Sequence, residues 1–223
     1  KAVRLNAMLI LVGDVFQLPP VGPGNVLADM IQSERIATFE LNQIFRQTSE
    51  STIIANAHRI RNGESLLFDD AAQLDASPEF CFIQQDIPER AARHIVDLCR
   101  QNIATRYGLH PVYGIQLLTP MHRGAVGTIN LNQLLQKALN PQSTRNIAQT
   151  HFRTGDKVLH LKNNYLKDVY NGDIGIVRAA DTDNNELTVD YDGRPVSYDF
   201  DELEELSLAY AISVHKSQGS EYP

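Results

Sequence analysis

Met8 to Val12 forms an unbroken apolar run, ended by Gly13-Asp14 and a loop rich in proline and glycine. A continuous apolar run bounded by turn residues predicts a strand buried on both faces, as in a parallel α/β sheet. A helix is predicted around Asn25–Gln32 and a strand near Ala37–Leu41. Within Ser51–Arg61, Ile53, Ile54, Ala57 and Ile60 recur at helical spacing, and Gly63 supplies a stop. Residues 63–78 are polar and irregular, which predicts a surface loop. Phe80–Ile83 reads as a strand. Ile87–Arg106 reads as an amphipathic helix through Ala91, Ile95, Val96, Leu98 and Cys99. Gly114–Thr119 is a second buried-strand candidate, followed by a helix at about Val126–Leu139.

Strands alternating with helices predict an α/β layer fold. The pattern breaks after Arg153. Lys157–Leu161, Gly175–Arg178, Glu186–Asp190 and Val196–Phe200 are short strand candidates. Asn171-Gly172, Asp183-Asn184-Asn185 and Asp192-Gly193 are the turn signals between them. A small β-barrel inserted into the α/β domain is the expected result, with Leu208–Val214 returning to the α/β pattern.

Composition narrows the class. The chain has 223 residues, 43% hydrophobic and 21% charged, which suits a soluble globular domain with one large core or one core plus a small appended domain. No apolar run approaches the roughly 20 residues that span a bilayer. Cys81 and Cys99 match no zinc or redox spacing, so two buried thiols and a cytoplasmic location are expected. The chain begins at Lys1 and stops at Pro223 inside a motif, from which a fragment of a longer protein is expected.

Net charge is −7, against a protein that coats duplex DNA by bulk electrostatics. The distribution is uneven. Met121 to Arg178 holds eight basic residues (Arg123, Lys137, Arg145, Arg153, Lys157, Lys162, Lys167, Arg178) against three acids, whereas Ala179 to Ser207 holds ten acids against Arg194. A local basic groove with an acidic back and two ordinary solvated faces are equally compatible with it.

Three strings carry the chemistry. In the first, Gly13 to Gly22 reads GDVFQLPPVG, and ligands of parallel sheets sit at the carboxyl ends of strands, where Asp14 and Gln17 would lie. A plain connecting loop is the competing reading. In the second, Leu41 to Gln47 reads LNQIFRQ, with one arginine suited to the developing charge of a transferred phosphoryl group, although a lone loop arginine is usually a surface charge. In the third, Tyr210 to Glu221 reads YAISVHKSQGSE: a strand end, then polar residues opening a helix whose N–H groups would attract phosphate, with Gly219 allowing close approach. The bland reading of His215 is a neutral structural histidine.

The first string closely resembles motif III of RecD-like superfamily 1 DNA helicases, which move 5′ to 3′. The second resembles their motif IV, with Arg46 as the finger, and the third their motif V. The resemblance implies a RecA-like, P-loop-NTPase-type parallel sheet with helices, an inserted SH3-like β-barrel, ATP and Mg²⁺ as cofactors, and single-stranded DNA as partner. It implies a nucleotide side comprising Gly13, Asp14, Gln17, Arg46, Lys216, Gly219 and Glu221, with Gln17 and Arg46 catalytic. It implies a DNA side comprising Pro19, Pro20, Ser213 and His215. Thr119, His122 and Arg123, in the Leu117–Gly124 stretch, are backbone-contact candidates there, with a structural turn as the alternative. No metal ligand is assigned. Gly155-Asp156-Lys157-Val158 would open the barrel, and Tyr170 to Gly175 (YNGDIG) would form its hairpin turn. Its basic residues are candidates for one wall of a DNA channel. A Pro-rich peptide groove competes, and Tyr165, Tyr170 and Tyr191 would serve either use.

By the same resemblance, residues 1–35 end a first motor lobe, 36–153 begin a second, 154–206 form the barrel and 207–223 return to the second lobe. No G-x-x-x-x-G-K-[S/T] occurs, and no Asp-Glu pair precedes Met8. The expectation is therefore a missing N-terminal motor segment and no ATPase activity in the 223 residues alone. Other exodeoxyribonuclease V subunits are possible partners. A conjugative relaxase-helicase, an RNA helicase and a non-hydrolysing binding module for single strands or a partner are the competing functions.

Overall fold

The computed structural model describes residues 4, 6–20, 22–41, 51–67, 79–141, 151–181 and 184–222. The chain divides into two compact units, Lys1–Phe82 and Ile83–Pro223.

The first unit contains α1 (Val26–Gln32) and α2 (Thr52–Arg61). The start of α2 is fixed by side chains: Ser51 Oγ accepts from Ile54 N, and Glu79 accepts from both Ser51 Oγ (2.6 Å) and Thr52 N (2.8 Å). Inside the helix, buried Asn56 exchanges two 2.7 Å hydrogen bonds with the Leu67 backbone, pinning the returning chain. Gly63 ends it at φ 70°, as the sequence predicts.

Met8–Val12 departs from expectation. It forms no strand, and Met8 and Val12 are 86% and 93% exposed. A strand requires a neighbouring backbone to take its N–H and C=O groups. Among the described residues none pairs with this run, so its apolar side chains face solvent. Ala37–Leu41 and Phe80–Ile83 also form no strand. Without a sheet to cover it Cys81 is exposed, contrary to expectation, whereas Cys99 is buried.

The second unit begins with a helix of three parts: α3 (Pro88–Asp97), a π-helical turn (Leu98–Asn102) and α4 (Ile103–Tyr107), closed by Gly108 at φ 63°. Strand β1 (Leu117–Thr119) and helix α5 (Thr128–Leu139) follow. Then come β2 (Lys157–His160), β3 (Ile174–Asp181), β4 (Glu186–Tyr191), β5 (Arg194–Asp199), β6 (Leu206–Leu208) and β7 (Ala211–Ser213). Parallel pairing of β1 with β7 sets Leu117 opposite Ala211 and Thr119 opposite Ser213. Leu131 and Leu135 of α5 pack on this pair with Ala92, Cys99 and Tyr210.

The inserted module is a five-stranded antiparallel sheet in the order β5-β4-β3-β2-β6. Alternation is clean in β4, where Leu187, Val189 and Tyr191 are buried between half-buried polar neighbours. Asp192 and Gly193 both take positive φ (51° and 88°) between the paired Tyr191 and Arg194, as a two-residue type I′ hairpin requires. Val158, Val177, Leu187, Val189 and Tyr198 form a core with no exposed surface. Phe200–Glu205, expected in part as strand, is a 3₁₀ helix, and the fifth strand is β6.

The basic stretch and the acidic stretch meet inside this module. Lys162 pairs with Glu204 (2.8 Å), Arg178 with Asp190 (2.6 Å) and Lys167 with Glu202. Lys157 is buried, donates to Ile115 O (3.1 Å), and is pushed down to about 8 by desolvation. Three of these cations thus stand beside carboxylates, and Lys157 is buried. The charge segregation along the sequence is undone by antiparallel pairing, which brings opposite-signed segments side by side.

Candidate nucleic-acid interface

The motif III loop lies in the first unit. Asp14 Oδ1 accepts from Phe16 N (2.9 Å), an Asx turn that fixes the loop's entry, and Gln17, Pro19 and Pro20 are exposed. Phe16 lies beneath the Arg61 guanidinium, 3.6 Å from its ring centroid, so α2 is clamped to this loop. Gly13 approaches Leu27 so closely that an added Cβ would lie 2.6 Å from its Cδ2. Arg46 lies outside the described residues.

In the second unit the remaining candidates gather at the carboxyl ends of β1 and β7. Thr119 is 4% exposed, and its hydroxyl donates to Val126 O (2.7 Å). Its oxygen also accepts from Met121 N (3.4 Å), so the side chain braces the Pro120–Gly127 loop. His122 pairs through Nδ1 with Thr128 Oγ1 (2.8 Å) at the first residue of α5, and Arg123 is exposed. Gly127 is required here: a Cβ would lie 2.5 Å from Arg123 O. The loop lies against the start of α5.

Across the sheet, Ser213 caps the turn that follows β7, its Oγ accepting from Lys216 N (3.3 Å). The helix expected to open here is a single 3₁₀ segment, Val214–Ser217. His215, Gly219 and Glu221 are exposed, and Gly219 has φ 83°. His122, Thr128, Ser213 and Lys216 line a cavity of about 390 Å³ together with Leu159, Leu161 and Leu208.

Three polar residues hold this geometry through hydrogen bonds that the sequence reading did not assign them. Asn132 exchanges two hydrogen bonds with the Ala211 backbone (2.8 and 2.9 Å), locking α5 to β7. Asp156, fully buried, accepts from Gln136, Asn140, Tyr210 and Arg153 N at 2.6–2.8 Å. Asn171 accepts from Lys216 Nζ (2.6 Å). The available signal for Asn132 was a polar side chain between Leu131 and Leu135 on a core-facing helix.

Comparison with known proteins identifies the family. A family model described as "ATP-dependent RecD-like DNA helicase SH3 domain" matches residues 131–191, and one described as "AAA domain" matches residues 1–77. An ATP-dependent RecD2 DNA helicase of Deinococcus radiodurans is 36% identical over 99% of this chain. The chain belongs to the RecD-like helicases. The RecBCD enzyme subunit RecD of Mycobacterium tuberculosis is 29% identical over 99% of this RecD-like chain. The conjugal transfer protein TraA of Agrobacterium fabrum is 28% identical over 98% of it. The chain spans 28%, 40% and 19% of these relatives. A Pif1 helicase from Bacteroides, solved with ADP-AlF3 and ssDNA, superposes with a TM-score of 0.52 over 94% of this chain and 53% of that one. At 22% identity the match establishes the shared fold: a RecA-like parallel sheet with helices and an SH3-like module. Among the described residues no helix is long and apolar enough to cross a membrane.

Proposed function

We propose that this RecD-like chain is part of an ATP-dependent DNA helicase moving 5′ to 3′, and that its second unit grips single-stranded DNA. One observation carries the reading. The parallel pair β1–β7 sets the two predicted DNA-facing segments at the same sheet end, Thr119 opposite Ser213, where ligands of α/β sheets bind. Arg123, His122, Ser213 and His215 would meet the strand's backbone there, with Pro19 and Pro20 supplying contacts from the motif III loop. Gly13, Asp14, Gln17, Arg46, Gly219 and Glu221 would face ATP·Mg²⁺, whose main phosphate and metal ligands lie outside these 223 residues. Gln17 would sense the γ-phosphate and Arg46 would oppose its developing charge.

The matched relatives are several times longer than the chain, which supports reading it as a fragment that includes the end of one motor lobe and most of the next. The RecBCD subunit match supports a place among other exodeoxyribonuclease V subunits, and the TraA match supports a conjugative enzyme as the second reading. The purified 223-residue chain is expected to bind a labelled oligonucleotide in a salt-sensitive way and to hydrolyse no ATP. Arg123→Ala and His215→Ala are each expected to weaken binding several-fold in a fluorescence titration. Binding indifferent to both substitutions would overturn the groove, and DNA-stimulated turnover by the chain alone would overturn the fragment reading.

A further inference from the structure

We infer that Lys216 contacts a backbone phosphate of the single strand, and that Asn171 of the SH3-like module is its positioning residue. The inference rests on the proposed DNA-binding reading and moves Lys216 from the nucleotide side, where motif resemblance puts it, to the DNA side. Three observations carry it.

The first is location. Lys216 shares a cavity wall with His122, Thr128 and Ser213, which belong to the two segments brought together by β1 and β7. The second is charge. Three cations of the neighbouring module meet carboxylates: Lys162 with Glu204, Lys167 with Glu202 and Arg178 with Asp190. Lys216 Nζ instead donates to the uncharged amide oxygen of Asn171. Its positive charge is oriented without being cancelled there, and an ammonium with one of three N–H groups engaged retains two for phosphate oxygens.

The third is how firmly the holder is held. Asn171 N donates to Asn163 Oδ1 (2.9 Å), Gly172 N to His160 O (2.9 Å) and Asp173 N to Tyr170 O (3.0 Å). The turn is thus tied to β2 and to its own loop. At the other end, Lys216 N is fixed by Ser213 Oγ. The lysine is consequently fastened at its backbone by the parallel sheet and at its tip by the antiparallel one. The SH3-like module then sets where the motif V cation stands.

Phosphate could come from the strand or from a bound nucleotide, and the test separates the two. In the full-length protein containing this chain, affinity for fluorescein-labelled oligo(dT) is measured without nucleotide across a salt series. Lys216→Ala is expected to weaken binding about 5- to 10-fold and to make the slope of log K against log [salt] shallower by about 0.7, the loss of one single-strand phosphate contact. Lys216→Arg should restore the slope. Asn171→Ala should weaken binding by about 2- to 3-fold with the slope retained, because the charge is still present but no longer held. An unchanged slope in Lys216→Ala together with a raised KM for ATP would return the residue to the nucleotide side and overturn the inference. So would an unchanged slope and an unchanged KM. If the unsubstituted protein fails to bind the oligonucleotide, the proposed function falls. If it binds in an Arg123-dependent way while Lys216→Ala is silent, this inference alone falls.

Discussion

The apolar run Met8–Val12 and the alternating stretch Glu186–Tyr191 met opposite fates. Strand β4 lies between β3 and β5, hydrogen-bonded on both sides, and its Leu187 and Val189 have no exposed surface. Met8–Val12 is the more hydrophobic of the two and remains in solvent, with Val12 at 93% exposure. Hydrophobicity selects what should be buried, but hydrogen-bonding neighbours decide whether a strand exists. The antiparallel module carries its neighbours within about fifty residues of sequence. The motif III run finds none among the described residues.

Truncation at the two sites is the sharpest way to break this contrast. Leu187→Ala is expected to cost about 2–5 kcal/mol, the usual range for emptying a filled core site. Val12→Ala should stay within about 0.5 kcal/mol in the same chain, as for other exposed positions. Urea unfolding of the 223-residue protein checks both. Equal losses would mean that Met8–Val12 is covered after all.

A second test exploits a polar group in the better-packed region. His160 has no exposed surface, its Nδ1 meets Tyr198 OH (3.2 Å), and Tyr198 OH meets Tyr191 OH (2.9 Å). Burial lowers the His160 pKa, opposed by the carboxylates of Glu205 and Asp173 and assisted by Lys167 and Lys162. A folded-state pKa below the unfolded value means that the unfolded chain takes up the proton first. The stabilisation is therefore complete above the ordinary value of 6.5 and is lost as pH falls through the folded pKa. Stability of the native protein should decline below pH ~6.5, ahead of the carboxylate range, and His160→Gln should flatten that limb. A limb unchanged by the substitution would place the titrating group elsewhere.

The smallest expected effect lies on the surface of the same module. Lys162 and Glu204 are 55% and 75% exposed, so Glu204→Gln should change stability by no more than about 0.5 kcal/mol, and by less in high salt. A larger loss would show that these pairs hold the sheet together, whereas the contrast drawn above attributes that role to its core.

Legibility in the sequence followed the same division. Local signals worked where the partner was local: Ser51 and Gly63 bounded α2, and Asp192-Gly193 gave its hairpin. They failed for Met8–Val12, whose strand state depends on a neighbour, and overran by one residue at Phe200, where the reciprocal capping of Asp199 and Glu202 starts a 3₁₀ turn. The third motif string located Ser213 and Lys216 and the Leu117–Gly124 stretch located His122, but no spacing rule connects residues so far apart along the chain. The parallel register of β1 and β7 makes that connection. Charge runs left two readings open, and the fold pairs three of the basic residues with acids far along the chain.

Gly127 has a mechanical consequence. Because the backbone of Arg123 fills the place of its missing side chain, the His122–Arg123 stretch and the start of α5 have no clearance in which to slide. Asn132 then ties the same helix to β7, one residue before Ile212 and two before Ser213. The two segments proposed to face a strand are therefore braced against one helix, one by close packing and the other by hydrogen bonds. A bulkier residue at position 127 would push the His122–Arg123 backbone away from the start of α5 and so disturb one segment while leaving the other tied to Asn132.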